Sequence, residues 1–414
     1  MNAVSSLVIV GAGHAGVQAA ASLRDEGFSG ALTLLCDETH LPYQRPPLSK
    51  AFLKREVEAP GLALRAESYF RDHDIDLRRG AKATRIDREA RRVFLADGES
   101  LAYDHLILAT GARAREFKVP GADLQNIFAL RSIADAHAIR DSLGADKRVV
   151  IVGAGFIGLE IAATALKLGG VVTVVEIAER PLGRAVSPTM SRFFHDAHKA
   201  FGASLRLSTG VKAIHGDNGR VASVELSSGE IVPADVVVVG VGIVAEDALA
   251  RAAGLKCENG VVVDATMQTS DPAISAIGDC AQFPSAILGA PLRLESVQNA
   301  TDQAKTVAKR ITGKSIAPYD AFPWFWSDQG DLKLQIAGLS HGVTDWVTRG
   351  DPAERAFAVF GFKDGELRVV ETVNRAGEHM AARKLIAART PVTPEQAADT
   401  AFDLRKLALA TKAG

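Results

Sequence analysis

The chain has 414 residues, of which 47% are hydrophobic and 23% charged, as in an ordinary soluble globular protein with more than one domain. Its formal net charge of −1 favours neither a nucleic acid nor a membrane surface as a partner. It contains no apolar run of about 18 residues, the length that spans a bilayer. With no secretory signal pattern at its start and only 3 cysteines, we expect a cytoplasmic protein.

An apolar strand followed by a G-x-G-x-x-G turn occurs twice, in residues 7–16 and 149–158. Each copy continues into an alanine-rich segment with helical character, residues 17–25 and 159–168. A second apolar strand then ends in an acid, which is Asp37, 26 residues after Gly11, or Glu176, 23 residues after Gly153. One such turn is weak evidence, but two complete copies predict two Rossmann-type dinucleotide sites.

Further apolar runs end at glycines, where a backbone can approach a ligand closely: residues 105–111, 236–242 and 273–279. From about Tyr319 the pattern changes to alternating strands, such as 333–338 and 356–362, and then to a helix at 377–389. We therefore predict an α/β protein with two Rossmann-type domains and a C-terminal α+β domain. The expected FAD-binding domain comprises residues 1–114 and 245–320, the NADH-binding domain 115–244, and the C-terminal domain 321–414.

The first turn is predicted to bind the adenine dinucleotide half of FAD. Gly11 permits the tight turn, Gly13 lets the backbone approach the pyrophosphate, and Gly16 allows the helix to pack closely on the strand. The helix that follows directs its N–H groups and partial positive charge at the phosphates, and Asp37 would accept hydrogen bonds from the adenosine ribose. A tight turn without a ligand is the alternative.

The second turn is predicted to bind NADH through Gly153, Gly155 and Gly158. A carboxylate at Glu176 would bind the ribose 2′-hydroxyl and repel a 2′-phosphate, which favours NADH over NADPH. Arg180 and Arg184 lie a few residues further on, and reading a 2′-phosphate is the alternative role for them.

Asp279 ends another apolar strand after a glycine, as a residue in contact with the flavin ribityl chain would. An ordinary turn aspartate is the alternative for this position. The two dinucleotide sites upstream favour the flavin contact.

The order of these motifs resembles the flavoprotein class typified by glutathione reductase, and within it the ferredoxin reductases of bacterial oxygenase systems. The resemblance extends from about Leu7 to Arg389. It is carried by residues 45–50 (Arg-Pro-Pro-Leu-Ser-Lys), 158–160 (Gly-Leu-Glu), 267–272 (Met-Gln-Thr-Ser-Asp-Pro), 278–281 (Gly-Asp-Cys-Ala), 295–300 (Glu-Ser-Val-Gln-Asn-Ala) and 324–329 (Trp-Phe-Trp-Ser-Asp-Gln). One departure is Val244-Ala245, where relatives usually carry a proline, and it concerns the local turn.

The resemblance implies roles for individual residues. Lys50 would lie near the flavin N5 atom and pair with Glu160, and these two are the expected catalytic residues. The expected contacts to FAD are Arg45, Pro46, Arg131, Val297 and Trp326, in addition to the residues above. Phe156 would lie at the nicotinamide pocket. Further expected cofactor contacts, not assigned to either nucleotide, are Ala15, Ala83, Ile157, Arg184 and Gly242. From the residues alone, Lys50 suits an exposed loop, Glu160 a helix surface and Trp326 a core position.

Disulfide reductases of this class need a cysteine pair beside the flavin, and related enzymes keep one redox cysteine after the first Rossmann motif. Residues 43–50 contain no cysteine. Cys36 is expected to be a small core residue and Cys280 to pack near the flavin. Electrons should therefore leave the flavin directly for an outside acceptor.

We expect hydride to pass from NADH to FAD, and single electrons to pass on to a 2Fe-2S ferredoxin that supplies a cytochrome monooxygenase. The alternatives are a ring-hydroxylating dioxygenase system, a rubredoxin reductase, an NADH oxidase and a redox-sensing flavoprotein. The expected docking face is basic and lies on a helix at 297–311, with Lys305, Lys309 and Arg310. A solvated helix face is the alternative, and we expect a monomer or weak dimer.

Overall fold

A computed structural model of the chain describes residues 4–411. The outermost three residues of the predicted N-terminal and C-terminal domains lie outside this range. The helices are α1 His14–Asp25, α2 Glu67–Asp72, α3 Ile133–Ser142, α4 Phe156–Lys167, α5 Pro188–Ala200, α6 Ala248–Ala252, α7 Val297–Ile311, α8 Ala376–Ala387, α9 Pro394–Ala398 and α10 Leu404–Ala410. Short 3₁₀ turns occur at Pro46–Ser49, Ala59–Leu62, Gly278–Cys280 and Pro352–Glu354.

The strands are β1 Ser6–Val10, β2 Ala31–Cys36, β3 Asp76–Arg79, β4 Ala83–Asp87, β5 Arg92–Leu95, β6 Ser100–Ala102, β7 His105–Leu108, β8 Ala112–Ala114, β9 Ile127–Phe128, β10 Arg148–Val152, β11 Val171–Val175, β12 Ser204–Arg206, β13 Val211–Asp217, β14 Arg220–Leu226, β15 Ile231–Pro233, β16 Val236–Val239, β17 Ile243–Ala245, β18 Cys257–Glu258, β19 Gly260–Val262, β20 Ile274–Ala276, β21 Ala281–Ser285, β22 Ala290–Leu292, β23 Trp324–Gln329, β24 Leu332–Gly338, β25 Asp345–Arg349, β26 Phe357–Lys363 and β27 Glu366–Val373.

The chain divides into two compact units. The first comprises the chain up to Gln44 together with Glu58–Arg113 and Ile243–Ala321. Its centre is a five-stranded sheet of order β20-β7-β1-β2-β3, with every neighbouring pair parallel. Strands β1 and β7 are apolar after their first residues, Ser6 and His105, because both faces of such a sheet are covered. Helices α1 and α7 pack against each other in this unit.

The second unit comprises Arg45–Val57, Ala114–Gly242 and the chain from Phe322 onward. It contains a second parallel sheet of order β12-β11-β10-β16-β9. Helix α5 connects β11 to β12, and a small antiparallel sheet of β13, β14 and β15 lies between β12 and β16 in the chain. Its C-terminal part is a five-stranded antiparallel sheet of order β23-β24-β27-β26-β25. The aromatic core of this sheet includes Phe360 and Phe362, which pack with Leu385 and Ile386 of α8.

The predicted α/β class is confirmed, and both Rossmann-type turns connect a parallel strand to a helix. The helices begin at His14 and at Phe156, three residues before the expected starts at residues 17 and 159. The last part of each glycine turn therefore already forms the first turn of the helix. The segment Val244-Ala245, which departs from the family pattern, lies in β17. Among residues 4–411 we find no helix both long and apolar enough to cross a membrane.

Candidate functional site: two glycine turns and a buried ion pair

The first glycine turn contains two glycines that the fold requires. Gly11 has φ +104°, and a Cβ at this position would lie 2.3 Å from the Ala109 carbonyl oxygen. A Cβ at Gly16 would lie 1.8 Å from the Gly11 oxygen, so α1 can approach β1 only without a side chain there. Gly13 is different, because its φ is an ordinary −78° and a Cβ would meet no protein atom within 4 Å.

The second turn repeats this division of roles. Gly153 has φ +106° and a Cβ there would lie 2.4 Å from the Gly240 oxygen, while a Cβ at Gly158 would lie 2.1 Å from the Gly153 oxygen. Gly155 again has an ordinary φ of −79° and open space at its Cβ position. Neither α1 nor α4 has a side-chain cap or an acid in its first turn. Both turns therefore fit a pyrophosphate that lies where a side chain would otherwise stand.

The two predicted acids are not structural counterparts. The Gly11 N–H donates to the Leu35 oxygen and the Gly153 N–H to the Val175 oxygen, which makes Cys36 the equivalent of Glu176. Asp37 lies one residue beyond and is exposed. The carboxylate is thus near the end of β2, where a ribose hydroxyl can reach it, but its position relative to the turn differs from that of Glu176.

Glu176 is held tightly at the end of β11. Its Oε2 accepts from the Ala154 N–H at 2.6 Å, and its Oε1 accepts from the Ala178 N–H at 2.9 Å. The carboxylate therefore lies against the glycine turn and keeps lone pairs for a further donor. The next residue, Ile177, is 80% exposed, and Ile157 in the first turn of α4 is 46% exposed. Ile177 is a candidate contact for an adenine face that the sequence pattern had not indicated.

The two arginines after Glu176, Arg180 and Arg184, differ in whether their side chains are available to a ligand. The Arg180 guanidinium donates to the carbonyl oxygens of Gly183, Val186 and Ser187, so it holds the loop together and is not available to a 2′-phosphate. Arg184 is exposed. The same loop is tied to the glycine turn by the Leu182 N–H, which donates to the Ala154 oxygen at 2.9 Å.

A buried carboxyl group anchors the end of this loop. Ser187 caps α5 and donates its hydroxyl to Glu371 of β27 at 2.6 Å, and the Ser187 N–H donates to the same carboxyl at 2.8 Å. Burial raises the pKa of Glu371 to about 7, against the lowering effect of the Ser187 hydrogen bonds. The start of α5 is thus fixed to the C-terminal sheet by a polar contact that is shielded from water.

The predicted Lys50 and Glu160 pair is formed. The Lys50 ammonium lies 2.7 Å from Glu160 Oε2, and the two side chains are 18% and 3% exposed. Neither residue occupies the exposed position that its type alone suggests. Lys50 also donates to the Pro46 carbonyl at 3.0 Å, and Ser49 donates to Glu160 Oε2 at 2.5 Å. A cation with a buried counter-ion is a group that can stabilise developing negative charge.

Two aromatic contacts and one contact between arginines involve other predicted residues of the second unit. The Phe156 ring lies 4.6 Å from that of Phe325, and Trp326 stacks on Trp324 at 5.6 Å. Arg45 donates to the Arg131 carbonyl oxygen at 2.5 Å, which brings these two predicted residues together. Phe325 was not among the predicted residues, although its alternation with Trp324 and Trp326 along β23 could have indicated a separate face.

The remaining predicted flavin contacts lie in the first unit. Ala15 is buried in α1 beside Gly278, whose φ of +76° forms the turn into Asp279. Val297 begins α7 and Ala83 begins β4, and both are half-buried. In the second unit, Gly242 is exposed, with φ +101°.

Cys280 follows this turn and is fully buried, and burial raises the pKa of its thiol. A redox thiol needs the opposite shift, because the thiolate is the reactive form. The environment of Cys280 therefore supports a packing role.

The predicted basic face on α7 is only partly present. Lys305 and Lys309 are exposed, and Lys305 lies 3.6 Å from Asp302. The expectation that Arg310 belongs to this face is wrong. Its guanidinium donates to Gln268 and to Ser275, because the position is at the edge of the apolar side of α7 and the long side chain turns inward.

Residues 5–304 match the family model for pyridine nucleotide-disulphide oxidoreductases, and residues 324–408 match the reductase C-terminal model. The chain belongs to the pyridine nucleotide-disulphide oxidoreductase family. It is 51% identical over 405 residues to rhodocoxin reductase of Rhodococcus erythropolis, which covers 98% of this chain and 94% of the relative.

Two solved structures show the same fold over their whole length. A ferredoxin reductase from Rhodopseudomonas palustris has a TM-score of 0.96 and 49% identity, covering 98% of this chain and 100% of the other. The covalent putidaredoxin reductase–putidaredoxin complex has a TM-score of 0.95 and 40% identity, covering 100% of both chains. Family membership and the two glycine turns establish an oxidoreductase that uses FAD and a nicotinamide nucleotide.

Proposed function

We propose that this enzyme transfers electrons from NADH, through FAD, to a small 2Fe-2S ferredoxin that supplies a cytochrome monooxygenase. The observation that carries the proposal is the pair of turns in which Gly13 and Gly155 leave open space at the start of an uncapped helix. One chain thus carries two dinucleotide sites, and its relatives include rhodocoxin reductase, a ferredoxin–NAD(P)⁺ reductase and a putidaredoxin reductase solved in covalent complex with putidaredoxin.

We propose that the first unit binds FAD through its glycine turn, Asp37, Asp279 and Val297, and that the second binds NADH through its own turn, Glu176 and Phe156. This keeps the functional division of residues 1–114 with 245–320, 115–244 and 321–414. Bound FAD supplies an acceptor for the hydride of NADH and a donor of single electrons. Lys50 supplies a positive charge where negative charge develops, and Glu160 holds its ammonium in place.

The cysteines support direct transfer to an outside acceptor. Cys280 is buried with a raised pKa, and no disulfide links the cysteines among residues 4–411.

We propose the cytoplasm as the compartment and a monomer or weak dimer as the working form.

The decisive experiment compares acceptors under identical conditions. Purified enzyme with NADH is expected to reduce 2Fe-2S ferredoxins in rapid turnover, and to reduce rubredoxin and dioxygen much more slowly. Faster reduction of rubredoxin would make it a rubredoxin reductase, and a dominant reaction with dioxygen would make it an oxidase. A slow reaction with every acceptor, with a long-lived NADH-reduced species and a changed association state, would indicate a redox sensor.

We propose that Lys305 and Lys309 form part of the ferredoxin docking face. Charge reversal at Lys305 is expected to raise the apparent KM for ferredoxin about threefold to tenfold and to leave the KM for NADH unchanged, because electrostatic steering acts on association. The ferredoxin step should slow as ionic strength rises, whereas flavin reduction by NADH should not.

Lys118→Glu is the matched control, since Lys118 is also exposed and lies near an acid, Glu116 at 3.1 Å. Equal responses of the two variants would place the docking face elsewhere on the protein.

A further inference from the structure

The Glu160 carboxylate receives hydrogen bonds on both oxygens. Lys50 and Ser49 donate to Oε2, at 2.7 and 2.5 Å. The other oxygen, Oε1, accepts from the Ser327 hydroxyl at 2.6 Å. Because Glu160 is only 3% exposed, water cannot readily replace a lost donor. Ser327 comes from β23 of the C-terminal sheet, so a residue remote in sequence completes the coordination of this buried acid.

The strand geometry explains why Ser327 reaches Glu160. Along β23 the side chains alternate, which places Phe325, Ser327 and Gln329 on one face. Phe156 and Glu160 are four residues apart on α4 and therefore share one helix face. Phe325 meets Phe156 and Ser327 meets Glu160, so the strand and the helix match residue by residue.

The hydrogen bonds continue beyond Ser327. The Gln329 amide donates to the Ser327 oxygen at 3.2 Å, and its carbonyl oxygen lies 2.8 Å from His198 Nε2 on α5. Ser327, Gln329 and His198 are all 0% exposed. Burying polar side chains costs free energy unless they form hydrogen bonds. The hydrogen bonds that connect these three side chains offset part of that cost.

All donors in this series of hydrogen bonds point the same way. Ser327 has a single hydroxyl proton, which it donates to Glu160, so its oxygen must accept from the Gln329 amide. Gln329 then presents its carbonyl oxygen to His198, which must donate from Nε2. Burial lowers the pKa of His198, so the ring is neutral with its proton on Nε2. Each donor in the series therefore points toward the Glu160 carboxylate.

We propose that Ser327, Gln329 and His198 form a positioning chain that fixes the Glu160 carboxyl group and, through it, the Lys50 ammonium. The inference rests on the roles proposed for Lys50 and Glu160, and it gives a function to the serine and glutamine of the Trp-Phe-Trp-Ser-Asp-Gln motif. None of the three residues is expected to touch NADH or the flavin.

Removal of the Ser327 hydroxyl has a specific consequence for Glu160. Oε1 loses its donor and becomes a buried acceptor without a partner. The carboxylate is then held on one oxygen only, so the position of the Lys50 ammonium is less well fixed. A loss of about tenfold in the limiting rate of flavin reduction is expected, which corresponds to about 1.4 kcal/mol.

The test compares Ser327→Ala with Thr372→Val, which removes another fully buried hydroxyl from the same sheet without touching Glu160. Stopped-flow reduction by NADH gives the limiting rate and the Kd for NADH. Ser327→Ala should lower the limiting rate about tenfold and keep the Kd for NADH within about twofold, whereas Thr372→Val should change neither.

Two further variants complete the design. Ser327→Thr keeps the hydroxyl and should restore the limiting rate. Gln329→Met leaves the Ser327 hydroxyl in place, so it should lower the rate less than Ser327→Ala, and it remains informative if Ser327→Ala does not fold. A Ser327→Ala protein that behaves like Thr372→Val, while Lys50→Met and Glu160→Gln are impaired, would overturn the positioning chain alone. Normal flavin reduction in Lys50→Met and Glu160→Gln would instead overturn the proposed roles of the pair.

Discussion

Gly155→Ala is expected to raise the KM for NADH at least about tenfold while the protein folds normally and keeps its FAD. The fold can accommodate this methyl group, because the φ of Gly155 is −79° and its Cβ would meet no protein atom within 4 Å. The only expected cost is a clash with the pyrophosphate of the nucleotide, which approaches the backbone at this point. Steady-state kinetics and FAD content measure the two effects.

Gly13→Ala is the corresponding change in the first turn, and it should weaken retention of FAD with little direct effect on the NADH turn. Gly144→Ala is the control, because a Cβ there also meets nothing within 4 Å and the residue belongs to neither turn. Gly158→Ala is uninformative about the ligand, since its Cβ would lie 2.1 Å from the Gly153 oxygen and disturb the helix itself. A normal KM for NADH in Gly155→Ala would show that the nucleotide backbone lies elsewhere.

This distinction between glycines shows what the sequence could and could not predict. The apolar runs and glycine spacing predicted both Rossmann-type turns because buried parallel strands and tight turns each leave a local pattern. That pattern assigned the tight turn to Gly11 and the close packing of the helix to Gly16, and the contacts that a Cβ would make at these two positions agree with both roles. The same local pattern placed the start of each helix three residues too late, because alanine content marks the middle of a helix rather than its first turn.

Contacts between segments distant in sequence could not be predicted from local patterns. The spacing of Asp37 and Glu176 made them look equivalent, but the hydrogen bonds of the two glycine turns make Cys36 the equivalent of Glu176. Arg310 was expected beside Lys309 on the basic face, yet its long side chain turns inward to Ser275. The burial of Glu160 under Ser327 depends on how β23 meets α4, and no periodicity within either element reports that pairing.

Glu176→Arg is expected to narrow or reverse the preference for NADH over NADPH by an order of magnitude or more, since about 1.4 kcal/mol corresponds to tenfold. In the proposed function the carboxylate faces the ribose 2′-hydroxyl of NADH and would repel a phosphate at that position. The Arg180 guanidinium already donates to three backbone carbonyls, so it is not available to bind a 2′-phosphate. The measurement is kcat/KM for both nucleotides in the native enzyme and the variant.

Two milder substitutions separate charge from structure, because Glu176 also accepts the Ala154 N–H of the glycine turn. Glu176→Gln keeps an oxygen for that N–H and removes the charge, so it should improve kcat/KM for NADPH with only a modest loss for NADH. Glu176→Ala removes both the charge and the acceptor for the Ala154 N–H, so kcat/KM for NADH should fall further than in Glu176→Gln. Glu179→Gln removes an exposed charge three residues away and should change neither. A native enzyme that already prefers NADPH would contradict the role given to Glu176, whereas equal losses in Glu176→Gln and Glu176→Ala would show that its charge matters more than its hold on the turn.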